Sequence, residues 1–154
     1  MIYIPIGYPL FVSDDVCIIE KSNSHVHLSR KELASWFTMI SPKHNQDDTI
    51  IKILIEKNLL LLGNSYSEFF NQLMPLNAVR QGSGLYDNIN NRYAIGLGNV
   101  DIVFHINNIQ KHIWEKSYGN NTLKDIYNEL ENASERDFVE AIRGLFGCAL
   151  LFLR

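Results

Sequence analysis

The sequence has little cysteine and little proline, and it has no excess of positive charge. Its 154 residues include 2 cysteines and 4 prolines, and 14 Lys and Arg residues stand against 17 Asp and Glu residues, a formal net charge of −3. Cys17 and Cys148 lie far apart in apolar runs, which predicts two buried, reduced thiols and no disulfide framework. The acidic balance provides no general field for phosphate groups and argues against non-specific nucleic-acid binding.

Long hydrophobic runs are also absent. The apolar stretches 50–62 and 145–153 are too short to cross a bilayer. The apolar N-terminal segment 1–12 carries no basic n-region and is interrupted by proline and glycine, so it predicts neither a signal peptide nor a membrane span. We therefore expect a cytoplasmic protein without a membrane partner. With 46% hydrophobic and 20% charged residues, the chain has an ordinary globular composition.

The sequence does contain an internal repeat. Superposing Trp36 on Trp114 gives an offset of 78 (114 − 36), and segment 26–29 then falls on segment 104–107. Segment 54–62 matches segment 145–153 at an offset of 91 (145 − 54), so the second half carries 13 extra residues (91 − 78) in its middle. Such self-similarity predicts two related units, with the indoles of Trp36 and Trp114 buried at equivalent positions. We place them at residues 1–63 and 85–154, joined by a linker with a short helix at 64–84.

Local patterns predict the same succession of elements in both halves. In the first half they predict strands at 10–12, 16–20 and 25–28, helices at 30–40 and 49–56, and a strand at 59–62. In the second half they predict strands at 93–97 and 100–106, a helix that follows Asn107 and carries Ile109, Ile113 and Trp114, helices at 122–130 and 135–146, and a final apolar strand. Ser29 with Glu32 matches a capping box, and Asn107 and Thr122 stand where N-caps are expected.

The predicted fold class is therefore α+β. It consists of tandem duplicated winged-helix-like units, each with a small antiparallel hairpin or sheet and two to three helices.

The second half resembles a known family. Its short strand ending at Asn107, the helix with Trp114, the following Gly119 and Thr122-Leu123, and the last helix running into an apolar end look like the PqqD-like winged-helix family. Members of that family act as recognition elements for RiPP precursor peptides. The resemblance covers residues 92–153, and the first half matches more loosely over 10–63.

The resemblance implies that a partner peptide adds as a strand to the hairpin edge 101–106 and lies against the last helix, 137–146. The second half is the better candidate because it keeps the complete set of helices. The candidate peptide-binding residues are Asp101, Val103, His105, Asp137, Glu140 and Arg143.

Residues that would carry catalysis or bind a metal are sparse. Among the five histidines, His25 and His27 share one face of a strand and His105 takes the repeat position of His27, yet no carboxylate or thiol stands nearby at ligand spacing. No Gly-x-Ser-x-Gly motif or oriented Cys/His pair is present. We expect no metal site, no cofactor and no enzymatic activity.

The alternative function is DNA binding, because winged helices commonly place a recognition helix in the major groove. The candidate helix, 122–130, would expose Asn121, Lys124 and Asn128, but Asp125, Glu129 and Glu131 would repel phosphates. Peptide or protein binding is therefore the favoured interpretation. A purely structural or assembly role and a homodimeric state are left open.

Overall fold

The computed structural model describes residues 2–13, 16–39, 47–87, 92–98, 102–118 and 120–154. These residues form a mixed α+β structure with ten strands in several small antiparallel sheets and six helices. The α+β class predicted from the sequence is confirmed at this level.

The elements alternate between groups of strands and groups of helices. The strands are β1 (Ile2–Pro5), β2 (Tyr8–Val12), β3 (Cys17–Lys21), β4 (Ser24–Leu28), β5 (Leu60–Gly63), β6 (Ala78–Arg80), β7 (Ser83–Asp87), β8 (Arg92–Gly96), β9 (Val103–Ile106) and β10 (Leu151–Leu153). The helices are α1 (Arg30–Thr38), α2 (Asp48–Glu56), α3 (Tyr66–Leu73), α4 (Asn108–Lys116), α5 (Leu123–Asn128) and α6 (Glu135–Gly147).

Helix starts follow the residues that the sequence analysis selected. Ser29 and Glu32 form the predicted capping box of α1, and Asn107 with Gln110 forms the corresponding box of α4. Thr122 caps α5, again as predicted. Each cap supplies an acceptor to a backbone N–H that the first helical turn leaves without a partner, which fixes where the helix begins.

In the first half, β2, β3 and β4 form an antiparallel meander, and β1 pairs with β5 from the end of that half. Strand β2 contains Pro9, and its register with β3 shifts between Pro9 and Phe11. Proline is tolerated there because β2 is an edge strand, so the missing N–H costs no ladder bond.

The second half repeats this arrangement with β7, β8 and β9 as the meander and β6 paired with β10. The pairing of Ile4 with Leu61 recurs as the pairing of Val79 with Phe152, at offsets of 75 (79 − 4) and 91 (152 − 61). Helix α5 lies within the 13 residues that the first half lacks.

The two tryptophans occupy corresponding positions in the two halves. Trp36 is 0% exposed and its indole N–H donates to the carbonyls of Ile6 and Leu59, at 3.2 Å each. Trp114 is 4% exposed and donates to the carbonyl of Gln81, the residue at the position of Ile6, at 2.8 Å. The prediction that both indoles are buried is confirmed.

The two halves share their cores. The cluster around Trp36 includes Phe146 and Phe152 from the second half, and the cluster around Trp114 includes Ile4 and Ile6 from the first. Helix α3 packs along α6. Each half therefore buries apolar surface of the other.

Some boundaries differ from the sequence-based expectation. Segment 64–84, predicted to be a linker with a short helix, does contain α3, but it also contains β6 and the first residues of β7. Strand β1 was not predicted, and β9 begins at Val103, whereas Asp101 lies outside the described residues. Cys17 is buried as expected, whereas Cys148 is only partly buried, and both are free thiols.

Candidate functional site

Strand β9 ends its sheet. It pairs with β8, and within the described residues no strand pairs with it on the other side. Val103 is 55% exposed and the preceding Ile102 48%, whereas Phe104 and Ile106 pack against the core. The alternation gives β9 one face that packs on the core and one exposed face, so the strand is anchored. Its side opposite β8 is a sheet edge, where backbone groups are available for pairing.

The first half shows which backbone groups of such an edge point outwards. A two-residue connection joins β3 to β4, and its flanking pair is Lys21 with Ser24. Because hydrogen-bonded and non-hydrogen-bonded pairs alternate from that flanking pair, His27, opposite Ile18, directs its N–H and C=O away from β3. A hydrogen bond to the His27 carbonyl from the Lys57 side chain, 3.0 Å long, agrees with this orientation.

Strand β9 is the third strand of its meander, as β4 is of the first, so its backbone groups follow the same alternation. His105 lies opposite Ala94 as His27 lies opposite Ile18, at offsets of 78 (105 − 27) and 76 (94 − 18). The N–H and C=O of His105 therefore point away from β8, and those of Val103, two residues earlier, do the same. Both predicted edge residues, Val103 and His105, lie on this strand with exposed side chains.

The predicted residues on α6 make hydrogen bonds within the molecule. Glu140 accepts hydrogen bonds from the Tyr66 hydroxyl of α3, at 2.6 Å, and from the Arg143 guanidinium, at 2.7 Å. Asp137 accepts a hydrogen bond from the Ser134 hydroxyl at the start of α6. None of these bonds is made with β9. The contacts tie Glu140 to Tyr66 of α3, Arg143 to Glu140 within α6, and Asp137 to the N-cap of α6.

Glu140 has a further effect on Tyr66. Its hydrogen bond with the Tyr66 hydroxyl, together with burial, raises the pKa of that phenol above its ordinary value. The guanidinium of Arg136 lies over the Tyr66 ring at 5.2 Å. These contacts fasten the first turn of α3 to α6, which is a structural role.

Helix α4 meets α6 next to the end of β9. The side-chain nitrogen of Gln110 lies so close to Gly144 that a Cβ there would stand 2.5 Å from it. Cys148 caps the C-terminus of α6. The end of β9 is thus marked by His105, the start of α4 by Gln110 and the end of α6 by Cys148. Of these three, sequence reasoning selected only His105.

The missed positions could have been found through the repeat. At the offset of 78 Gln110 falls on Glu32, and at 91 Cys148 falls on Lys57. In the first half those two residues form an ion pair, with 2.8 Å between the Lys57 ammonium and the Glu32 carboxylate. The replacement of a charged pair by an uncharged pair at matching positions was visible in the sequence.

The helix considered for DNA binding is short and carries acidic groups. Asn121, Lys124 and Asn128 are exposed as predicted. However, the Asp125 carboxylate caps the helix through Thr122, and Glu129 binds Lys116 at 2.6 Å. Lys116 is thereby neutralised beside the helix, which leaves little positive charge for a phosphate backbone.

Two other features of the described residues are a cavity and a pair of exposed histidines. A cavity of about 520 Å³ lies between β2, β3 and α1, with Cys17, Leu33 and Phe37 in its wall. His25 and His27 are exposed on β4, and no group of three or more metal-ligating side chains occurs in the described ranges. None of the helices described here is long and apolar enough to cross a membrane.

No protein-family model, curated protein or solved structure matches the chain.

Proposed function

We propose that the chain is a non-catalytic peptide-binding protein that takes up an extended segment of its partner as an additional strand on β9. The observation that carries the proposal is the open edge of β9, where the backbone groups of Val103 and His105 point away from β8. Main-chain hydrogen bonds to such an edge provide affinity, and alternate side chains of the added strand provide selectivity.

The order of elements supports this assignment. A three-stranded meander followed by α4, α5 and α6 matches the succession for which the second half resembles the PqqD-like family. The first half has a corresponding meander followed by two helices. We infer that the two halves are tandem copies of one winged-helix-like unit, and that the second copy keeps the binding edge.

The surroundings of β9 favour a peptide with apolar side chains. Ile102 and Val103 are exposed apolar residues beside the edge, and Leu97 at the end of β8 is partly buried against the core. Side chains of an added strand would meet Val103 on the open face of β9 and Phe104 on its core-facing side. We expect an extended partner segment in which apolar residues alternate with others.

The test uses a phage-displayed library of random linear peptides, panned over the immobilised protein. Enriched peptides are then titrated against the wild type, Val103→Pro and His25→Pro. His25 is the matched control, since it occupies the same strand position in the first half (103 − 78 = 25). Proline at either position removes an outward N–H and no ladder bond, so we expect both variants to fold.

We expect Val103→Pro to weaken binding by about tenfold, since it removes a main-chain bond worth about 1 kcal/mol and adds a ring at the edge. His25→Pro should bind like the wild type. The proposal is wrong if no peptide is enriched on the wild type over Val103→Pro, or if the two proline variants lose binding equally.

A further inference from the structure

Lys57, the residue that caps α2, contacts the outer edge of β4. Its ammonium donates to the backbone carbonyl of His27 at 3.0 Å and to the Glu32 carboxylate at 2.8 Å. The His27 carbonyl points away from β3, so it is the acceptor that an added strand would use. The lysine therefore occupies a hydrogen-bonding position of a fourth strand.

The closure is held in place by neighbouring groups. The Glu32 side chain is only 13% exposed, and its other oxygen accepts the N–H of Ser29 at 2.6 Å. Burial works to raise the pKa of Glu32, but the hydrogen bonds from Lys57 and Ser29 outweigh it and hold that pKa below its ordinary value. A strand that displaced Lys57 would leave this carboxylate largely buried without its cation, which is costly.

A second lysine strengthens the same connection. Lys21, at the end of β3, donates from its ammonium to the Asn58 carbonyl at 2.6 Å. Asn58 follows Lys57 and has a positive φ of 53°. Two lysine-to-carbonyl bonds thus join the strands of the first half to the turn after α2.

The second half has no such bonds at the matching positions, because the residues differ. Leu97 stands at the position of Lys21 (97 − 76 = 21), and Cys148 stands at that of Lys57 (148 − 91 = 57). The backbone around them is nonetheless the same. Cys148 caps α6 as Lys57 caps α2, and Ala149 has a φ of 55°, like Asn58. Gln110 replaces Glu32 and serves in the corresponding capping box.

We propose that Lys57 is an internal plug of the β4 edge, so that of the two corresponding edges, β4 and β9, only β9 accepts an added strand. The inference rests on the proposed function for its account of β9. The closure of β4 does not depend on that function, since it concerns only which residue occupies the His27 carbonyl. Removing Lys57 should open a second site at β4, and placing a lysine at position 148 should close the site at β9.

The experiment exchanges the paired residues between the halves. Lys57→Cys with Glu32→Gln gives the first half the uncharged pair of the second, and Cys148→Lys with Gln110→Glu does the reverse. Both exchanges keep the capping boxes, because Glu and Gln serve equally at that helix position. Lys52→Cys removes an exposed charge from α2 and is the control.

Two probes are used. The first is a peptide enriched by the wild type in the panning described above, and the second is a peptide enriched from the same library by Lys57→Cys/Glu32→Gln after depletion on the wild type. We expect the transferred plug to weaken the first probe by about tenfold or more. We expect the second probe to bind the opened variant, and to lose that binding when His25→Pro is added.

The outcomes separate the two proposals. If the wild type binds a peptide through β9 but the opened variant gains no site that His25→Pro abolishes, the plug is refuted and the function stands. If the wild type binds nothing through β9 but the opened variant gains such a site, the plug stands and the function is refuted. Gain of the same site by Lys52→Cys would also refute the plug.

Discussion

Replacing Trp36 by alanine should cost more stability than most single substitutions in this chain. Its indole is 0% exposed and packs against Phe37, Phe146 and Phe152, with ring centroids 4.9, 5.2 and 6.2 Å away. Truncation of a fully buried tryptophan leaves a large cavity and costs about 3 to 5 kcal/mol. Two of the three rings belong to the second half, so the loss also loosens the contact between halves.

A second substitution separates packing from hydrogen bonding. Trp36→Phe keeps an aromatic ring but removes the donor to the carbonyls of Ile6 and Leu59. The Leu59 carbonyl still accepts the N–H of Ile6, so one buried acceptor loses its indole partner without a backbone replacement. We expect this variant to lose about 1 to 3 kcal/mol, less than the alanine variant.

The assay is urea unfolding followed by far-UV circular dichroism, because fluorescence would itself change when an indole is removed. A domain of ordinary stability has only about 5 to 15 kcal/mol to lose, so the shift in midpoint should be large. A loss below about 1 kcal/mol for Trp36→Ala would refute the reasoning, since it would place the indole outside the shared core.

Three further predictions concern the backbone, pH and DNA. Gly82 has a φ of +82°, and a Cβ there would lie 2.6 Å from the Gly96 carbonyl oxygen. Gly82→Ala should therefore lower the free energy of unfolding by more than about 1 kcal/mol in urea. Gly144→Ala is the control and should be close to neutral, because its Cβ would meet only the movable Gln110 side chain. Because the folded-state pKa of Glu32 is lowered, the contribution of Glu32 to stability is present above the ordinary carboxyl pKa of 4.5 and is lost as pH falls through the lower folded value. Glu32→Gln should therefore lose less stability than the wild type in that acidic range. An identical pH profile for the two proteins would contradict the ion pair. In a mobility-shift assay in physiological salt the protein should bind duplex DNA no better than other acidic proteins do, and a shift at about nanomolar protein would overturn that expectation.

The sequence predicted the elements whose signals are local. The helix beginning after Ser29 and the helix beginning after Asn107 are marked by capping residues, and the apolar spacing around Trp36 and Trp114 placed both indoles in the core. The succession of strands and helices in each half was also readable, because strand and helix periods differ.

The elements that were missed depend on distant pairing. Strand β1 is four residues long and pairs with β5, and β6 is three residues long and pairs with β10. Segments this short have no measurable period, and their partners lie far along the chain. Segment 64–84 has the sequence pattern of a linker, because Pro75, Asn77 and Gly82 obscure β6 and the start of β7.

The candidate site was only partly predictable for a related reason. Periodicity identified β9 and its exposed residues Val103 and His105, but the bonds of Glu140 depend on the position of Tyr66, which only the packing of α3 on α6 provides. The closure of β4 required knowing that the Lys57 side chain reaches His27, thirty residues away in sequence. Contacts of that range are set by the assembled fold.

The most direct test of the central claim is hydrogen exchange at the β9 edge. The amide protons of Val103 and His105 point away from β8, so they should exchange quickly in the free protein and slowly when a panned peptide is bound. The account predicts that this protection appears at Val103 and His105 and is absent at His25 and His27. Protection confined to α5, or binding without any change at Val103 and His105, would contradict it.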